Sequence, residues 1–274
     1  MLNYFGQSLR IGIARNSMSL VRTSSWTKPA VTVLAELRFA TEENDTPEKL
    51  TKLLRQLLAN TASAHHPVTV VIADDLTRLW QVTPPPGTTQ MTDLQAATAL
   101  RFQILFGEAL ADWTITADWN ARTPFLAAAL PCALLAVLEQ QADEHQFSIV
   151  EIAPQFILAW NRWHIALQAG AWFALTHDQV FTLGITDGES LCAVRSVLLP
   201  PEVDRIWLQA HLERVALLLD VPMPTHLQLC GALIDNWSEH DINSGVPCRR
   251  VDSTKSSMPM LTIAAALAQA GVWN

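Results

Sequence analysis

The sequence predicts an α/β protein of two domains built on one repeated order of elements, with a small α+β insertion in the first. Three observations predict it. A strand meander followed by a helix and a further strand can be read twice along the 274 residues. The apolar runs 171–175, 180–185 and 190–199 lie close together, and the last two are separated by Asp187-Gly188. Glycine supplies the positive φ of a tight hairpin turn, so these runs read as three antiparallel strands. Pro84-Pro85-Pro86-Gly87 is the sharpest break in the chain and marks the edge of the insertion. The expected domains are 1–146, with the insertion at about 84–145, and 147–274.

In order, 9–13 and 17–21 flank Ala14-Arg15-Asn16 and predict a hairpin; 31–37 adds a third strand, closed by Glu43-Asn44-Asp45. Thr46-Pro47-Glu48 opens a helix, because threonine can cap, proline suits the first helical position and the acid favours the positive end of the dipole. Leu50, Leu53, Leu54, Leu57 and Leu58 give it one apolar face. The runs 68–73 and 77–82 predict two more strands. After the proline break, Thr92-Asp93-Leu94-Gln95 has the form of a capping box, for a helix to about Phe106 that stops at Gly107. Residues 113–119 alternate apolar and polar, as a half-buried strand does, and 125–130 is a strand before a helix opened by Pro131. A strand at 148–152 leads to a helix from Pro154 that carries Phe156, Ile157, Trp160 and Trp163. Pro200-Pro201-Glu202 opens a helix with Leu208, Leu212, Val215 and Leu219 inward. A strand at 226–230, a short helix at 231–237, an edge strand at 247–251 and a small-residue helix at 260–270 close the chain.

Half of the residues are hydrophobic and 16% are charged, which is ample for a large core. The net charge of −8 lacks the electrostatic footprint of a nucleic-acid binder. Cys132, Cys192, Cys230 and Cys248 form no CxxC pair and read as reduced, buried thiols. The N-terminus lacks the charged and apolar regions of a signal peptide, and the longest apolar run, 125–138, is too short to span a bilayer. A cytoplasmic protein is expected.

Few residues suggest catalysis. Asp74-Asp75 follows a strand, where catalytic acids often sit, but reads as a solvated loop. His177-Asp178 reads as turn, His65-His66 and Glu239-His240-Asp241 as loop, and Met258 and Met260 as core. No Walker loop, HExxH or Ser/His/Asp arrangement occurs, so neither metal nor cofactor is expected.

The order of elements resembles the actin-like (ribonuclease H-like) superfamily, and within it the PilM-like proteins of type IV pilus assembly, relatives of FtsA. LRIGIARNSMSLVRT resembles their opening hairpin, VTVVIADDLTRLWQVTPPP the strand pair leading to their inserted subdomain, and TDLQAATALRFQILFGEALADWTITADW that subdomain's helix and strand. FSIVEIAPQFILAWNRW resembles the crossover, the stretch from Gly170 the second phosphate hairpin, and PMLTIAAALAQAG the closing helix. Nucleotide-binding relatives carry an Asp-Ile-Gly type motif in each hairpin. By this resemblance Gly12 and Ala14 replace the aspartate and glycine of the first hairpin, and Ala174 and Thr176 those of the second. The adenosine turn retains only Gly231, in Leu229-Cys230-Gly231-Ala232.

The resemblance therefore implies a pseudo-ATPase: a non-catalytic cytoplasmic scaffold of a type IV pilus or related inner-membrane assembly. Its implied partner is the N-terminal cytoplasmic tail of a single-pass, PilN-like membrane protein, through which it reaches the membrane indirectly. The implied groove lies between the first domain and the insertion, near Leu79, Trp80, Val82, Leu94 and Arg101. A homo-oligomer stays open. Two alternatives are an ATPase or phosphotransferase of the superfamily, for which Asp178 is the only acid near a phosphate hairpin, and the cytoplasmic domain of a type II secretion L-type protein.

Overall fold

The computed structural model describes residues 7–24, 30–40, 46–61, 63–187, 190–231, 237, 245–251 and 262–272. Asn44, Gly188, Ala232, His240, Met258 and Met260, on which some expectations fall, lie outside them, as does nearly all of the short helix expected at 231–237. The chain divides into two compact units, 1–158 with 260–274, and 159–259.

The first unit contains β1 (Gln7–Ile13), β2 (Ser17–Ser24), β3 (Ala30–Arg38), α1 (Pro47–Leu58), β4 (Pro67–Ile72), β5 (Arg78–Val82), α2 (Met91–Phe106), β6 (Trp113–Ala117), β7 (Phe125–Pro131), α3 (Cys132–His145) and β8 (Ser148–Pro154). Its main sheet has the order β3-β2-β1-β4-β8, an antiparallel meander continued by two parallel strands. The leucine face of α1 is buried, and Thr46 accepts a hydrogen bond from the Lys49 amide at the cap. Helices α1 and α3 share one core with Leu9, Ile11 and Ile13 of β1.

The inserted sheet is β5-β7-β6, closed by α2 around Trp80, Phe102 and Phe125. It begins with β5, before the proline break, and excludes α3, whose Leu134, Val137 and Leu138 belong to the core of the main sheet. Helix α2 starts at Met91 after Gln90, with no side-chain cap; the Thr92 hydroxyl donates to the Gln90 side chain, so the expected capping box does not form. Gly107 ends the helix in the left-handed conformation.

Helix α4 (Gln155–Trp163) contains the division between the units. The second unit then contains β9 (Ala171–His177), β10 (Val180–Thr186), β11 (Leu191–Leu198), α5 (Arg205–Leu219), β12 (His226–Gly231) and β13 (Cys248–Arg250). Its sheet, β11-β10-β9-β12-β13, repeats the first: three antiparallel strands and then two parallel ones. The duplication read from element order is thus present in strand order and direction. Helix α5 begins at Arg205, not at the prolines, because Asp204 supplies the cap by accepting from the Trp207 amide.

The chain's last helix, α6 (Ile263–Ala268), returns to the first unit and packs on β1, β2 and β4. Strand β8 and α6, expected in a domain 147–274, therefore lie in the first unit: β8 pairs with β4 along its length, and α6 buries its alanine face on the first sheet.

Candidate functional site

The two hairpins have the same architecture. In the first, Ala14 and Ser17 close a two-residue turn, Arg15-Asn16, and the Ala14 amide donates to the Ser17 carbonyl. In the second, His177 pairs with Val180 around Asp178-Gln179, with Asp178 at φ 51°. Counting back from the turns makes His177 the counterpart of Ala14 and Leu175 the counterpart of Gly12. The parallel neighbours agree: Ile13 pairs with Ile72, and the matching Thr176 with Gly231.

This register corrects the second hairpin. Ala174 lies in the core formed with α5, as Ile11 lies in the core formed with α1. Thr176 shares the strand face of Ala174, because successive side chains alternate. The opposite face carries Leu175 and His177, both buried. Counting from the turn rather than from the apolar run would have found this.

At the first hairpin Gly12 does not leave a vacant aspartate position. A Cβ there would lie 2.9 Å from the Ala268 amide nitrogen and 2.8 Å from Ser19 Oγ, so the backbone of α6 fills the space. Ala14 packs with Val71, Ala73, Ala153, Leu158 and Leu267. Two side chains of the first sheet fasten α6 and the turn after it: Ser19 Oγ donates to the Ala264 carbonyl at 2.6 Å, and Arg10 donates to the Ala268 and Ala270 carbonyls, each at 2.5 Å. Burial pulls the Arg10 pKa below its ordinary value, while Glu151 opposes that shift. The guanidinium thus lies at the carbonyl end of the helix, where a cation is favoured. In the second unit Gly231 has φ 96°, and a Cβ there would run into the Thr176 carbonyl oxygen. Its glycine is required by the close approach of β12 to β9, which is a structural reason of its own.

Asp74-Asp75 is not a solvated loop. It forms a 3-10 turn in which Asp74 is buried and accepts from the Phe156 amide at 2.9 Å, tying the end of β4 to the start of α4. Asp75 pairs with Arg15 of the first turn at 2.8 Å. His177 is buried at the end of β9 while Asp178 is exposed, and His66 is buried beside the Ala64 carbonyl. The four cysteines, expected to be buried, are only partly buried. Among the described residues no group of His, Cys, Asp and Glu is placed to hold a metal.

The residues expected to line a partner groove do not form one. Leu79, Trp80, Val82 and Leu94 are 7%, 1%, 2% and 4% exposed, so they line no open groove, and the last three belong to the insertion's core. Arg101 is exposed on α2, beside Leu100 and Ile104 at 59% and 66% exposure. One cavity in this unit lies elsewhere. It measures about 520 Å³, and its walls are Glu108, Ala109, Ala111, Asp112, Trp113, Pro131, Cys132 and Ala133. The insertion thus provides one wall, and the first turn of α3, a helix of the main-sheet core, provides the other. Helical and strand periodicity gave no signal for it, because its walls come from a turn, a strand start and a helix start.

No protein-family profile and no curated protein sequence matches the chain. Solved structures match it in fold. The PilM–PilN type IV pilus biogenesis complex aligns over 89% of this chain and 88% of that chain, at 14% identity and TM-score 0.60. A Bacteroides thetaiotaomicron protein with an actin-like ATPase fold and unknown function aligns over 86% and 87%, at 15% identity and TM-score 0.59. The cytoplasmic domain of EpsL, an inner membrane component of the type II secretion system of Vibrio cholerae, aligns over 96% and 93%, at 13% identity and TM-score 0.56. The chain has the actin-like fold, with the insertion in its first unit.

Proposed function

We propose that this chain is a non-catalytic scaffold of a type IV pilus or related secretion assembly, which docks the cytoplasmic tail of an inner-membrane protein and binds no nucleotide. The observation that carries the reading is the closure at Gly12. Where the resemblance calls for a magnesium-holding aspartate, the backbone of α6 stands within 2.9 Å of a Cβ position. Phosphate binding at such a hairpin needs an acid for the metal and open backbone amides. Gly12 offers neither the acid nor the room for one, and its counterpart Leu175 is an apolar side chain.

The fold match to the PilM–PilN complex and the cavity between the insertion and α3 support tail docking. Membrane attachment through a partner fits a structure in which no described helix is long and apolar enough to cross a bilayer. Peptides copying the tails of single-pass membrane proteins encoded beside this gene test the reading by calorimetry. One of them should bind with a Kd of about 1–50 μM. Absence of binding by every such tail would overturn it.

The EpsL match, which spans 96% of this chain, favours a second reading as the cytoplasmic part of an L-type secretion protein. Fractionation of the native protein from cells lacking the neighbouring membrane genes separates the two. Retention in the membrane favours the L-type reading, and release favours the scaffold.

A further inference from the structure

The outer side of α5 carries an apolar stripe. Ile206, Ala210, Glu213 and Leu217 follow at spacings of four, three and four residues, so they form one line along the helix, with Arg214 and Leu218 beside it. Ile206, Leu217 and Leu218 are 77%, 84% and 75% exposed, and Ala210, Glu213 and Arg214 are exposed with them. The other side of the helix, with Leu208, Leu212, Val215 and Ala216, already serves the core of the second unit. Three large aliphatic side chains in water on one helix of 15 residues mark a contact surface.

The charges on the stripe decide what fits it. Side chains of one helix meet at spacings of three and four, and there Glu213 has no cation and Arg214 no anion. Neither forms an ion pair among the described residues; Glu213 accepts from Gln209 Nε2 at 2.7 Å. An anionic lipid surface fits poorly, because Asp204, Glu213 and Asp220 are exposed along 204–220 against one exposed cation, Arg214. A second copy of the chain fits well. Two α5 helices laid antiparallel about a twofold axis set Ile206 on Leu217 at both ends, with Ala210 near the centre, where a small side chain allows close approach. At 1.5 Å of rise per residue, Arg214 of one copy then lies about 6 Å along the axis from Glu213 of the other, within reach of the two side chains. The symmetry forms that ion pair twice.

We propose that the outer face of α5 pairs two copies of this chain, helix against antiparallel helix, through the Ile206–Leu217 contacts and two Glu213–Arg214 ion pairs. The pairing concerns the second unit and holds whether or not a tail docks in the first. One helix pair is smaller than a standard interface of roughly 1,600 Å², so the dimer is weak.

Sedimentation velocity of the full chain, from about 5 to about 300 μM, tests it. The native chain should show a monomer–dimer equilibrium with a Kd of about 10–100 μM. Leu217→Ser, at an exposed position, should raise that Kd about tenfold or more and leave the melting temperature of the monomer unchanged. Arg214→Glu and Glu213→Arg should each raise it about tenfold, because each sets like charges against one another twice. The double variant Glu213→Arg/Arg214→Glu restores both pairs in reverse and should return the Kd to within about threefold of the native value. A native chain that stays monomeric over this range, a dimer that Leu217→Ser leaves unchanged, or a double variant no tighter than the single ones overturns the proposal. So does a monomeric chain that pellets with phosphatidylglycerol vesicles through Leu217, which would give the face to a lipid surface.

Discussion

The two hairpins share turn length, strand directions and sheet position, yet the counterpart of Gly12 is Leu175 and that of Ala14 is His177. In the first unit the aspartate position holds the smallest residue, and a helix from the other end of the sequence is pressed against it. In the second the same position is taken by a buried side chain. Both arrangements remove the acid, one by packing backbone into the space and one by filling it with its own bulk. A glycine in a phosphate hairpin is therefore not a sign of an open site. What it admits decides, and here it admits α6.

The largest effect should follow from restoring the acid in the first hairpin. Gly12→Asp forces a carboxylate against the Ala268 amide and Ser19 Oγ in a buried site. Thermal unfolding should show a loss of about 3–5 kcal/mol, or no folded protein. A stable variant that gains magnesium–ATP binding would show that α6 yields and would break the comparison. Next, Gly231→Ala tests whether the second unit's glycine serves packing. With φ at 96° and the Thr176 carbonyl in the way, it should cost about 3 kcal/mol in the second unit.

A smaller loss is expected from Arg10→Met, which keeps the aliphatic stem but removes the donors to the Ala268 and Ala270 carbonyls. Denaturant titration should show a loss of about 2 kcal/mol. Faster amide exchange should be confined to α6 and β1; exchange that rises equally in the second unit would contradict the fastening assigned to α6.

The smallest effect sharpens the contrast through pH. His211 stacks on Trp207 with ring centroids 5.0 Å apart and meets Phe181 of β10 edge-on, and burial, aided by Arg214, pulls its pKa below the usual value. Burial, aided by Arg249, does the same to His226 at the start of β12. A histidine pKa lower in the folded state means that the unfolded state binds more protons below pH 6.5. This stability is therefore complete above about pH 6.5 and is lost as pH falls through the folded value. The second unit should weaken from pH 7 to pH 5 by tryptophan fluorescence, and His211→Gln should flatten that slope. An unchanged slope would remove His211 as its cause.

Much of the fold was legible because its signals are local. The α1 leucines, the alternation at 113–117 and the turn at Gly107 each follow from periodicity or a single residue's φ. The misplaced features depend on a competing local cap or on distant contacts. Pro200-Pro201 reads as a helix start, but the carboxylate of Asp204 competes better for the free amides of the first turn. Asp74 reads as solvated because its partner, the Phe156 amide, is 82 residues away. The candidate site suffered most. Leu79, Trp80, Val82 and Leu94 are apolar, as a peptide groove would require, but all four are buried, and the insertion needs the last three for a core of its own. The one-residue error in the second hairpin arose because every residue of β9 is buried, so alternation could not say which face was which.

Titration calorimetry of the intact protein with magnesium and ATP tests the central claim most directly, because it reads both hairpins at once and needs no partner. The account predicts no saturable heat at any concentration up to about 1 mM ATP. Saturable binding with a Kd below about 100 μM, abolished by omitting magnesium, would contradict it.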